Sequence, residues 1–105
     1  MISNQIIIKA KITFKTTEEG GRKTGVKSGY RPNHVFEKTD NIKLLRTYMG
    51  EIKFDNEESI QPGETNIVTV RFLKNPEIEK YMRVGQIWYI YEVPKLIAEG
   101  EIIEI

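Results

Sequence analysis

The chain has no cysteine among its 105 residues, which excludes disulfides, thiolate zinc sites and cysteine nucleophiles together. Histidine occurs once, at His34, so no second His is available to begin a metal site. Long apolar runs are missing too. Nothing approaches the roughly 18 apolar residues that span a bilayer. The start, Met1-Ile2-Ser3-Asn4-Gln5-Ile6-Ile7-Ile8-Lys9, has no basic leader region. We therefore expect a cytoplasmic protein without a membrane segment. Net charge is small, with 16 Lys+Arg against 15 Asp+Glu and a formal charge of +1. A generic nucleic-acid-binding domain is usually basic overall.

The sequence does carry enough apolar residues (39%) to exclude a disordered tail. Its length supports one domain over residues 1–105, burying about 65% of the unfolded chain's surface. The small net charge hides a split. Residues 1–53 hold eleven Lys/Arg and five Asp/Glu, a surplus of +6, while residues 54–105 hold five and ten, or −5. Such asymmetry marks either a basic surface or charges that cancel on neighbouring strands after folding.

Hydrophobicity alternates with period two almost throughout. Ile6, Ile8, Ala10, Ile12 and Phe14 alternate with Ile7, Lys9, Lys11, Thr13 and Lys15, which predicts a half-buried strand with a basic outer face. Residues 16–33 are rich in glycine and poor in aliphatics, so they read as a long loop of the kind that tends to be functional. His34-Val35-Phe36-Glu37 predicts a short strand, and residues 44–54 another, with a bulge or bend at Gly50. Gln61-Pro62-Gly63-Glu64 predicts a type II turn. Residues 65–73 alternate again before Asn75-Pro76 interrupts, and residues 77–84 allow one helical turn. Residues 87–92 and 97–105 read as strands joined through Val93-Pro94-Lys95. About six short strands, with no convincing amphipathic helix, predict an all-β antiparallel barrel or sandwich.

Catalytic constellations are missing. A Ser-His-Asp arrangement has only Ser3, Ser28 or Ser59 to combine with His34, and no nucleophile-elbow sequence is present. Asp55, Glu57 and Glu58 lack the calcium-loop pattern. Gly20-Gly21-Arg22-Lys23-Thr24 superficially resembles the end of a phosphate-binding loop. Arg22, however, occupies the position where glycine is required, and no apolar helix follows. We expect no enzymatic activity, no cofactor and no metal.

Four segments carry a family resemblance. Glu18-Glu19-Gly20-Gly21-Arg22-Lys23-Thr24 and Gly29-Tyr30-Arg31-Pro32-Asn33 resemble the E-G-G-R-x-T and G-Y-R-P-Q segments of the C-terminal β-barrel domain of elongation factor Tu. Gln61-Pro62-Gly63-Glu64, with Pro76 beyond it, resembles that domain's M-P-G-D turn and later proline. Gly85-Gln86-Ile87-Trp88-Tyr89-Ile90-Tyr91-Glu92 is similar to its G-L-R-F-A-I-R-E strand. The order holds from about Lys9 to Ile105. The resemblance implies a six-stranded antiparallel Greek-key β-barrel, here without the GTPase domain that accompanies it in the factor.

It further implies a non-catalytic binding module. In that family the Gly-Gly-Arg stretch lies close to the interface with the GTPase domain. Arg22, Lys23, Lys27, Tyr30 and Arg31 are therefore the candidates for engaging a translation-related protein or GTPase. The structural alternative is that Gly20, Gly21, Tyr30 and Pro32 simply shape the barrel end. The family also contacts the T-stem of tRNA, which makes RNA the alternative partner, through Lys9, Lys11, Lys15, Asn33, Lys74, Tyr91 and Glu92. Here the match is poorer: Tyr91 replaces an Arg, and Val93-Pro94-Lys95 replaces a Gly-Gly-Arg whose backbone approaches RNA closely. A regular strand would turn Tyr89 and Tyr91 outward together, as stacking platforms or as members of cross-strand pairs. We expect a monomer, or a homodimer if the last strand forms an open edge.

Overall fold

A computed structural model describes residues 4–55 and 58–105. Met1, Ile2, Ser3, Asn56 and Glu57 lie outside the described residues, and with them the start of the chain and part of the acidic loop. The strands are β1 (Gln5–Phe14), β2 (Asn33–Val35), β3 (Tyr48–Lys53), β4 (Thr65–Leu73), β5 (Ile87–Glu92) and β6 (Lys95–Glu104). They close in the order β1-β4-β3-β2-β5-β6, every pairing antiparallel. Strands β2, β3 and β4 follow as neighbours, and β1 returns beside β4, which is the Greek-key arrangement.

Alternation builds this barrel. Along β1, Ile8, Ala10, Ile12 and Phe14 are buried and the residues between them are exposed. On β4, Val68, Val70 and Phe72 face inward. Each fully buried aliphatic or aromatic side chain contributes about 1.5–3 kcal/mol of transfer free energy. The expected turn is present, with Glu64 N donating to Gln61 O at 3.1 Å. One helical turn, α1 (Pro76–Glu79), follows β4, and Asn75 caps it by accepting from Ile78 N at 2.9 Å. Proline at the first helical position loses no hydrogen bond there.

An aromatic cluster fills the centre. Phe36 stacks on Tyr81 (4.9 Å between ring centres) and on Trp88 (5.7 Å). Trp88 Nε1 donates to His34 Nδ1 at 3.0 Å, and His34 Nε2 lies 3.1 Å from Gly50 O. With Nδ1 accepting, Nε2 carries the proton and donates to that carbonyl. Burial holds the His34 pKa down at about 4, against the upward pull of the Gly50 carbonyl. The lone histidine is a neutral core residue.

Four expectations need correction. Gly50 sits in regular register opposite Phe72, not at a bulge. A Cβ there would come within 2.7 Å of the Phe72 ring and 2.8 Å of His34 Nε2, so the glycine makes room for the core. The strand expected from residue 44 begins only at Tyr48, because Asn41 Oδ1 accepts from Lys43 N and Ile42–Leu44 form a 3-10 turn. Tyr91 is not exposed beside Tyr89, although its pairing with Asn33 keeps it on the face of β5 opposite Ile90. Ile90 pairs with Ala98 but Tyr91 pairs with Leu96, so Ile97 is an extra residue in β6. That bulge lets Ile97 and Ala98 both be buried, while Tyr91, only 7% exposed, stays in unbroken register with Asn33, as Ile90 does with His34. Lastly, β6 is not an open edge, since it pairs with β5 on one side and β1 on the other. The dimer argument built on that edge therefore falls away.

Candidate functional site

Residues 18–31 leave β1, cross one end of the barrel and rejoin it at β2. Their first turn is locally determined. Thr16 N donates to Glu19 Oε1 at 3.0 Å, and Glu19 N donates to Thr16 Oγ1 at 3.1 Å. The Thr16 backbone N–H, followed by its hydroxyl, holds the Glu19 carboxyl below the usual glutamate range. Gly21 is buried against the chain it has just left, and a Cβ there would lie 2.4 Å from Lys15 O. No helix follows: the chain instead bridges Val26 to Ile60 and Tyr30 to Ile52. The phosphate-loop reading has no helix N-terminus to support it.

One carboxylate organises the loop. Glu92, at the end of β5, accepts from Arg22 and from the Tyr30 hydroxyl on the same oxygen. The Arg22 guanidinium lies over the Tyr30 ring at 5.3 Å and donates to Thr24 O at 3.2 Å. Burial, then the hydrogen bond to Glu92, raises the Tyr30 pKa, so the phenol remains a donor. Arg22, Tyr30 and Glu92 are thus half-buried structural partners. Among the described residues no carboxylate lies within ion-pair reach of Lys23 or Lys27, and both are exposed. Of the five loop candidates, these two present free charge. Arg31 turns to β3, where it donates to Glu51 at 3.2 Å.

The RNA candidates do not form one surface. Lys9 and Lys11 face Glu104 and Glu101 of β6, each at 3.9 Å, so part of the sequence's charge split cancels across the β1–β6 seam. Lys74 pairs with Glu79 at 3.6 Å, and its backbone bonds Asn4 O before β1 begins. Lys15 follows the other end of β1, on the order of 30 Å away along the strand. Asn33 sits between Met49 and Tyr91 in the sheet. Tyr91 is buried, and one oxygen of the half-exposed Glu92 is engaged by Arg22 and Tyr30.

Sequence reasoning missed a second charged cluster. Glu51 on β3 is held by Arg31 from the loop and by Arg71 on β4. Burial would raise its pKa, but the hydrogen bonds and charges of the two arginines win and lower it. Alternation alone puts residues 51 and 71 outward; their pairing depends on the β3–β4 register.

Among the described residues there is no group of three or more His, Asp or Glu placed to hold a metal ion. No helix there is long and apolar enough to cross a membrane. The closed six-stranded barrel agrees with a comparison against known families. The model described as Elongation factor Tu C-terminal domain matches residues 1–105, the full length of the sequence. The chain belongs to the elongation factor Tu C-terminal domain family.

Proposed function

We propose that this protein is a non-catalytic binding module that engages a translation-related protein, or a related GTPase, through residues 18–31. Family membership supports the link to translation. The observation that carries the reading is the division of labour within the loop. Arg22 and Tyr30 are tied down on Glu92, so the loop has a fixed shape, while Lys23 and Lys27 stand exposed on it. A fixed loop loses little conformational entropy on binding, and exposed cations add electrostatic steering. The barrel occupies the 105 residues, which leaves no room among them for a nucleotide switch. The mechanism we propose is mimicry or competition: these residues offer a surface like the factor's own.

The test is affinity purification from cell lysate with quantitative mass spectrometry, comparing wild type with Lys23→Glu/Lys27→Glu. We expect translation factors or translation GTPases among the wild-type partners, reduced at least tenfold with the variant. Recovery of no protein of that class, or equal recovery by both baits, would overturn the reading.

A further inference from the structure

We propose that the outer face of β1, β4 and β3 is a second docking surface, for a partner protein segment that places a carboxylate between apolar side chains. The surface is distinct from the exposed lysines of the loop and does not depend on them. Its middle row is set by register: Ile7 pairs with Arg71, and Arg71 with Glu51. In the next row Leu73 pairs with Gln5, and the same register brings Met49 beside Leu73. Ile7, Met49 and Leu73 are 55%, 58% and 68% exposed. Met49 and Leu73 line a cleft of about 180 Å³ together with Arg31, Glu51 and Arg71, and Ile7 lies next to it on β1, opposite Arg71.

The chemistry of the cleft selects the occupant. Glu51 takes Arg31 on one oxygen and Arg71 on the other, so two guanidiniums share one carboxylate and leave a surplus positive charge. Each arginine has five N–H donors and spends one of them on Glu51. The remaining donors are already oriented, which suits bidentate capture of a partner's carboxylate. The aliphatic rim argues against RNA. A nucleic-acid site pairs cations with aromatic stacking platforms, and a sugar-phosphate backbone would leave Ile7, Met49 and Leu73 uncovered. A peptide with leucine- or isoleucine-like side chains on both sides of an aspartate or glutamate satisfies both features. Closure of the barrel leaves no edge here for strand addition. The contact is therefore made side chain to side chain.

The experiment uses a random peptide display library selected against the intact protein. Selected clones should carry an acidic residue flanked by apolar ones. Synthetic peptides made from them should bind at least tenfold more weakly to Arg71→Glu and to Leu73→Ser, and about as weakly to Met49→Ser. Met49 and Leu73 are exposed, so those two variants keep the fold, which a thermal melt verifies. Lys23→Glu/Lys27→Glu should leave peptide affinity unchanged. Selection of no motif, a motif without an acid, or equal binding to all variants would overturn the proposal. So would a labelled single-stranded RNA that binds this face more tightly than the peptides and loses affinity in the same variants. Self-association abolished by Leu73→Ser, seen by sedimentation, would replace the peptide with a second copy and overturn it as well.

Discussion

Arg22 and Glu92 stand 70 residues apart in sequence and meet in a hydrogen-bonded ion pair at the end of the barrel. The pair couples the longest loop to the end of β5. Its side chains are 23% and 38% exposed, so solvent screening discounts its strength to the upper part of the surface range, about 1 kcal/mol. Glu92→Gln should cost about 1 kcal/mol. Glu92→Ala also strips the half-buried Tyr30 hydroxyl of its acceptor and should cost about 2 kcal/mol. Hydrogen exchange should speed up across residues 20–31 in both variants. Unchanged loop exchange would mean that the carboxylate does not organise the loop.

His34 makes stability depend on pH. Its folded pKa is about 4, below the ordinary 6.5, so the unfolded state binds the proton first as pH falls. Stability is fully present above pH 6.5 and declines between there and about pH 4, by about 3 kcal/mol in total. Urea unfolding followed by Trp88 fluorescence at pH 7 and pH 5 should show a loss of about 2 kcal/mol. His34→Gln has an amide able to accept from Trp88 and donate to Gly50, so it should remove that part of the slope. An equal slope in the variant would assign the effect to other groups.

Gly50→Ala should destabilise the protein by about 2 kcal/mol through overpacking. The added methyl meets the Phe72 ring and His34 at once, and neither can move without disturbing the Trp88 cluster. Denaturant titration checks this. A neutral outcome would mean that the aromatic centre has slack.

The β1–β6 seam predicts a masked basic stripe. Glu101→Ala/Glu104→Ala frees Lys11 and Lys9 and should elute from heparin at higher salt than wild type. Because both pairs are exposed, stability should change by less than about 0.5 kcal/mol per pair. Identical elution would show that the glutamates do not shield those lysines.

These relationships differ in how far the sequence announces them. The alternation of β1 and β4 is legible because each strand buries one face, and period two then follows from strand geometry. The turn at Pro62-Gly63 is legible because the residues themselves impose it. The burial of Tyr91 is not legible, because alternation gives the face a side chain takes and not what packs over it. Gly50 was misjudged for a related reason. Glycine fits a bulge and a crowded core alike, and only the rings of His34 and Phe72 decide between them. The loop's importance was visible in its composition. Its division into tethered Arg22 and free Lys23 and Lys27 was not, because the tether comes from Glu92 across the barrel end.

A purified in vitro translation system tests the central claim most directly. Titrating in the wild-type protein should slow polypeptide synthesis, excess elongation factor Tu should restore it, and Lys23→Glu/Lys27→Glu should have at least tenfold less effect. No inhibition at any concentration, or equal inhibition by the variant, would contradict the account.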